Sequence, residues 1–192
     1  MVAALLALGH ATNAAAEKQI RPFIGATFGG ATTLVDLENA VGKLNPVIGV
    51  NAQWLGNIAG VDVDFGDAPG FFQASSSHLV LGSRVTTFTG NIVVAAPGRK
   101  TEYTLRPYVV GGFGVMRAHM DDWAGIFKFS ETMATGDVGG GAVGFVTRTI
   151  GVCWEARYFS SFTKQDQGRG QSFGAPEKLS FWRASMALAI RY

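Results

Sequence analysis

The chain has 192 residues and a formal charge of +2, with 47 % hydrophobic residues, 16 % charged residues and 26 glycines. The apolar content excludes disorder, the single Cys153 excludes a disulfide scaffold, and a near-neutral charge without a basic run gives no sign of a nucleic-acid partner. No apolar stretch approaches the roughly 20 residues of a spanning helix, whereas an apolar, Gly-rich chain without long hydrophobic runs suits a β-barrel facing lipid.

Met1 to Gly9 form a short apolar segment, and Ala14, Ala15 and Ala16 offer a small-residue cleavage site before Glu17. This pattern predicts a secretory signal over 1–16, with its basic start upstream of Met1. No Cys follows the site, so no lipoprotein anchor is expected. The remainder, 17–192, is read as one barrel domain.

Eight runs of period-two alternation follow, the mark of strands. They cover 21–30, 46–55, 58–67, 85–96, 105–116, 137–147, 150–160 and 180–192. Each holds about ten residues, matching a tilted transmembrane strand. In the second, Ile48, Val50, Ala52 and Trp54 alternate with Gly49, Asn51 and Gln53. In the third, Val61, Val63 and Phe65 alternate with Gly60, Asp62 and Asp64. In the seventh, Val152, Trp154 and Tyr158 alternate with Cys153, Glu155 and Arg157. In the eighth, Trp182, Met186, Leu188, Ile190 and Tyr192 alternate with Arg183, Ser185 and Arg191. The other four runs place Phe28, Phe88, Ile92, Val94, Val109, Phe113, Val143 and Phe145 on the apolar side.

The bulky face carries no charge, and the other face carries small and polar groups. An eight-stranded barrel has an interior just wide enough for side chains. The large apolar groups are therefore expected outside, against lipid, where only a closed barrel satisfies every backbone group. The connections alternate between about 15–20 residues and about 2–8, as in barrels with long outer loops and short periplasmic turns. Both chain ends are then expected on the periplasmic side. One repeat is present: Arg21-Pro-Phe-Ile-Gly-Ala-Thr-Phe-Gly29 matches Arg106-Pro-Tyr-Val-Val-Gly-Gly-Phe-Gly114. Half-barrel duplication and convergence under one packing rule both account for it.

Four patterns carry a family resemblance. They are Arg106-Pro-Tyr-Val, Gly60-Val-Asp-Val-Asp-Phe-Gly66 followed by Pro69-Gly-Phe-Phe72, Glu155-Ala-Arg-Tyr-Phe159, and a C-terminal strand ending on an aromatic residue. The chain resembles the small outer-membrane β-barrel proteins of Gram-negative bacteria, the OmpA/OmpX-type class. The resemblance implies an all-β, eight-stranded antiparallel up-and-down transmembrane barrel in the cell outer membrane. It implies outer-membrane lipid and lipopolysaccharide as surroundings. It also implies a C-terminal signal, Leu188, Ile190 and Tyr192, read by the barrel assembly machinery.

Asp62, Asp64 and Glu155 set three lumenal negatives against Arg157, Arg183 and Arg191. Such a set in a narrow lumen forms a salt-bridged plug or, with exchanging partners, a gated ion path. Arg191 stands near the periplasmic end, where water reaches it. Trp54 and Tyr192 at periplasmic strand ends, with Phe28, Phe65, Tyr158 and Trp182 near outer ends, match the aromatic girdles of such barrels.

No enzyme, metal or cofactor is expected. His78 beside Ser75, Ser76 and Ser77, and His119 beside Asp121 and Asp122, fall in expected outer loops, away from any inward Ser. Gly139-Gly-Gly141 lacks the Lys and helix of a phosphate loop, and reads as a strand where neighbours pack closely. The large apolar loop residues Phe71, Phe72, Trp123, Ile126, Phe127 and Phe129 mark either a partner surface or groups folded back onto the barrel or headgroups. The expected function is structural or surface-interacting, through the outer loops. Two alternatives stand beside it: a narrow charge-gated pore, and a soluble lipocalin-like barrel with an apolar lumen.

Overall fold

The computed structural model describes residues 17–32, 44–71, 80–97, 105–122, 128–162 and 179–192. The expected signal, together with His78, Trp123, Ile126 and Phe127, lies outside them. Eight strands form: β1 (Glu17–Thr32), β2 (Asn45–Leu55), β3 (Ala59–Pro69), β4 (Val80–Ala95), β5 (Arg106–Asp122), β6 (Lys128–Phe145), β7 (Ile150–Phe162) and β8 (Leu179–Arg191). Each pairs antiparallel with the next, and β8 returns to β1 to close the barrel. Closure leaves the wall no free sheet edge.

The alternation decides which face meets which solvent. Ile24, Ile48, Ile92, Phe113, Trp154 and Met186 point outward, each more than half exposed. Asp62, Asp64, Arg157 and Arg183 point inward, each at most 1 % exposed. This is the reverse of a soluble lipocalin-like barrel, and lipid is the solvent that suits such an exterior.

The sixth strand corrects one expected face. Val143 and Phe145 point inward, with Val143 buried and Phe145 against the Arg191 guanidinium, while Val138 faces out. Asp137 explains the inversion. It shares the odd-numbered face of β6, and a carboxylate is costly in hydrocarbon. Because the side-chain period is two, Val143 and Phe145 follow Asp137 inward.

Strands β4, β5 and β6 run further outward than the alternation predicts. They contain 16, 17 and 18 residues against the 11 of β2 and β3. The added outward residues are Arg84, Arg117, His119, Ser130 and Thr132, so hydrophobic alternation fades where lipid ends although pairing continues. His119, Asp121, Asp122 and Phe129 consequently belong to strands rather than loops.

The outer half of the lumen holds an apolar cluster, which corrects the expectation that large rings find no room inside. Phe23, Met116, Phe159, Leu179 and Phe181 converge there and are joined by Phe71. Phe71 follows β3 at a turn where Gly70 has φ +74° and donates its N–H to the Ser83 carbonyl at 2.7 Å. The turn carries the ring back into the barrel mouth, edge-on to Phe181 at 5.0 Å between centroids. Inward glycines make room for lumenal side chains, Gly49 for the Phe23 ring. A Cβ on Gly66 would lie 2.7 Å from the Arg183 guanidinium, and one on Gly141 would lie 2.8 Å from the Tyr108 hydroxyl.

Candidate functional site

The middle of the lumen holds a charged layer directly beneath the aromatic one. Arg183 on β8 donates two hydrogen bonds to Asp64 on β3, at 2.8 and 2.9 Å, and lies 3.6 Å from Glu155. Its guanidinium sits over the Phe23 and Phe159 rings at 4.5 and 4.9 Å, so it joins the two layers through cation–π contact. Arg157 on β7 pairs with Asp62 at 2.8 Å, Asp137 at 3.2 Å, Asp64 at 3.9 Å and the neighbouring Glu155. Asn91 completes Asp62 at 2.7 Å. Four carboxylates thus surround two guanidiniums.

Arg21 extends the network toward the periplasm. It donates to Gln19 at 2.7 Å and to Gln53, and lies over the Tyr108 ring at 5.3 Å. Tyr108 in turn donates to Glu155 at 2.7 Å. A void of about 10 Å³ lined by Arg21, Asn51, Cys153, Glu155 and Ser185 lies beside this group. That is room for about one water. Among the described residues, both polar atoms of the Asn51 amide are buried without a partner.

At the periplasmic mouth Glu17 binds Arg191 at 2.7 Å and Arg106 at 3.3 Å. Arg106 also donates to the carbonyls of Gly56, Asn57 and Ala96, at 3.1, 3.0 and 2.8 Å, tying the β2–β3 turn to the start of β5. Arg191 lies 3.7 Å from the Phe145 ring centroid.

The structure therefore gathers Asp62, Asp64, Glu155, Arg157 and Arg183 in one cluster and places Arg191 in a separate group. Glu17, Arg21, Arg106 and Asp137 belong to these groups and escaped the sequence reading. The repeat carried a signal for two of them: Arg21 and Arg106 both point inward, followed by an outward Pro and an inward ring. Asp137 was hidden by the wrong face assigned to β6.

The aromatic residues expected in the girdles lie on the outer wall. Trp182 stands beside Phe28 and Tyr158 in register, 5.2 Å from the Tyr158 ring. Phe65 pairs with Phe88. Trp54 sits one residue before the end of β2, and Tyr192 just beyond β8. Leu188, Ile190 and Tyr192 all face outward.

No protein-family profile matches the chain. No curated protein matches it either. Solved structures do. Neisserial surface protein A superposes with a TM-score of 0.61 at 14 % identity, covering 92 % of this chain and 97 % of that one. OprG from Pseudomonas aeruginosa gives 0.56 at 10 % identity, covering 92 % and 96 %. Ail of Yersinia pestis, in complex with the heparin analogue sucrose octasulfate, gives 0.51 at 17 % identity, covering 91 % and 99 %. At these identities the likeness is one of architecture: the chain has the fold of the eight-stranded outer-membrane barrels.

Proposed function

We propose that the chain is an integral protein of a bacterial outer membrane whose lumen is a plug and whose outer connections make its contacts. One observation carries this reading. The lumen is filled by a charged layer capped with an aromatic one, and the void between Arg21 and Asn51 has room for about one water. A buried network of this kind is costly to rearrange, because separating a pair leaves a charge unmatched in a low dielectric. That disfavours the gated path. The similarity to Ail, seen in complex with the heparin analogue sucrose octasulfate, supports surface contact at the level of the fold.

Single cysteines test the arrangement in intact cells, in a Cys153→Ala background. A membrane-impermeant maleimide should label Ser76→Cys, in the β3–β4 connection, without permeabilisation. It should label Thr147→Cys, in the β6–β7 turn, only after the outer membrane is opened. The opposite pattern, or equal labelling, contradicts the reading.

A further inference from the structure

The lipid-facing side of β3 to β6 changes character in one step. Following the pairing across the wall, Phe65, Phe88, Val115 and Ala134 form the last apolar row. The next outward row is Asp67, Thr86, Arg117 and Thr132, and the one beyond is Pro69, Arg84, His119 and Ser130. A border this sharp marks where hydrocarbon gives way to headgroups. Two arginines stand on it, on adjacent strands and two residues out of register, a diagonal spacing of about 7–8 Å.

Both guanidiniums are anchored through one edge. Arg84 Nε lies 3.2 Å from Asp67, which also accepts from Thr86 at 3.0 Å. Arg117 Nε donates to Ser130 at 3.2 Å. Among the described residues, the Nη donors of both take no acceptor. The two forks are therefore oriented yet retain donors for an outside ligand. Asp67 neutralises one charge, so the patch keeps a net positive charge. Guanidinium forks match phosphate oxygens in a bidentate way, and neighbouring Ser130 and Thr132 add hydroxyls. Exposed at 61 %, the Arg84 side chain is held in place without being covered.

We propose that Arg84 and Arg117 form a binding site for a phosphomonoester on a lipid headgroup in the outer leaflet, a group that the choline phosphodiester of phosphatidylcholine does not supply. The site rests on the reading of the chain as an outer-membrane barrel. It faces the bilayer from the wall of β4 and β5, apart from the plugged lumen. A lipid phosphate is favoured over a soluble anion because the apolar row of Phe65, Phe88 and Val115 lies directly beneath the arginines. One ligand with a charged head and an acyl tail meets both surfaces.

The test uses the full barrel refolded into phosphatidylcholine nanodiscs and titrated with bisphosphorylated lipid A, dephosphorylated lipid A, or inorganic phosphate. The readout is the shift in thermal unfolding. Bisphosphorylated lipid A should raise the midpoint, and the other two should not. The Arg84→Gln/Arg117→Gln variant should need about tenfold more lipid A for the same shift, a loss typical of charge-assisted contacts. Arg148→Gln, on the opposite mouth, should behave as wild type. An equal response by the double variant, or to dephosphorylated lipid A, overturns the proposal. An equal response to inorganic phosphate reassigns the site to a soluble anion and overturns it too. Insertion is scored separately by protease protection. A chain that inserts without discriminating lipids defeats this inference alone, and a chain that does not insert defeats the barrel reading with it.

Discussion

Arg183 on β8 holds Asp64 on β3 through two parallel hydrogen bonds of 2.8 and 2.9 Å, across a lumen that leaves both side chains at most 1 % exposed. The same guanidinium lies under Phe159 and Phe23, so one residue ties the charged layer to the aromatic cap. Arg183→Ala strands a buried carboxylate and is expected to cost about 3–5 kcal/mol. Arg183→Lys keeps the charge but loses the fork, so it should recover only part of that stability. Guanidinium unfolding in micelles, followed by tryptophan fluorescence, gives both values. Equal stability of Arg183→Ala and wild type contradicts the layer's role.

Arg157 faces Asp62, Asp64, Asp137 and Glu155, so the central cluster holds four negatives and two positives. Removing a positive group deepens the imbalance, whereas neutralising a negative one relieves it. Arg157→Ala should therefore destabilise by about 3 kcal/mol or more. Asp137→Asn should stay within about 1 kcal/mol of wild type. The same unfolding experiment ranks the two, and the reverse order refutes the charge count.

Phe71 closes the outer mouth from a turn rather than from a strand. Phe71→Ala removes a buried ring from the contact with Phe181, at a cost of about 3–5 kcal/mol. The charged layer below stays in place, so the lumen should remain shut to ions. A variant that unfolds like wild type would show that the ring does not fill the mouth.

Arg106 binds three turn carbonyls as well as Glu17. Arg106→Ala should free the β2–β3 turn while the wall persists. Hydrogen exchange reads this at the Gly56 amide, bonded to the Ala59 carbonyl at 2.9 Å, and at the Ala95 amide, bonded to the Ile58 carbonyl at 2.7 Å. Loss of about 1–1.5 kcal/mol in local opening corresponds to roughly tenfold faster exchange. Unchanged exchange at both amides contradicts the staple.

The eight strands and seven of their eight faces were legible because lipid imposes a period of two that few other solvents demand. Failures came where that demand is absent or conflicting. Beyond Phe88 and Val115 the outward residues become Arg84, Arg117 and Ser130, and strand pairing continues without a hydrophobic signature. On β6 the outward positions are mostly Gly and Ala, so only Asp137 fixes the face. Inside, charge alternation revealed Asp62, Asp64, Glu155, Arg157 and Arg183. The aromatic cap was not legible. Phe23, Phe159 and Phe181 differ from lipid-facing rings only in parity, and the space beside Phe23 is left by the inward Gly49 on the neighbouring strand β2.

A charged layer and an aromatic cap together close this barrel. Single-channel recording of the refolded protein in a planar bilayer decides whether they do, with Arg157→Ala recorded beside it and folding checked by heat-modifiable mobility. The folded wild type should leave the bilayer silent, and so should the variant, because the Phe71, Phe159 and Phe181 cap is untouched. Reproducible current steps from the folded wild type, altered in size or gating by Arg157→Ala, would contradict the plug and identify the charged layer as a conducting path.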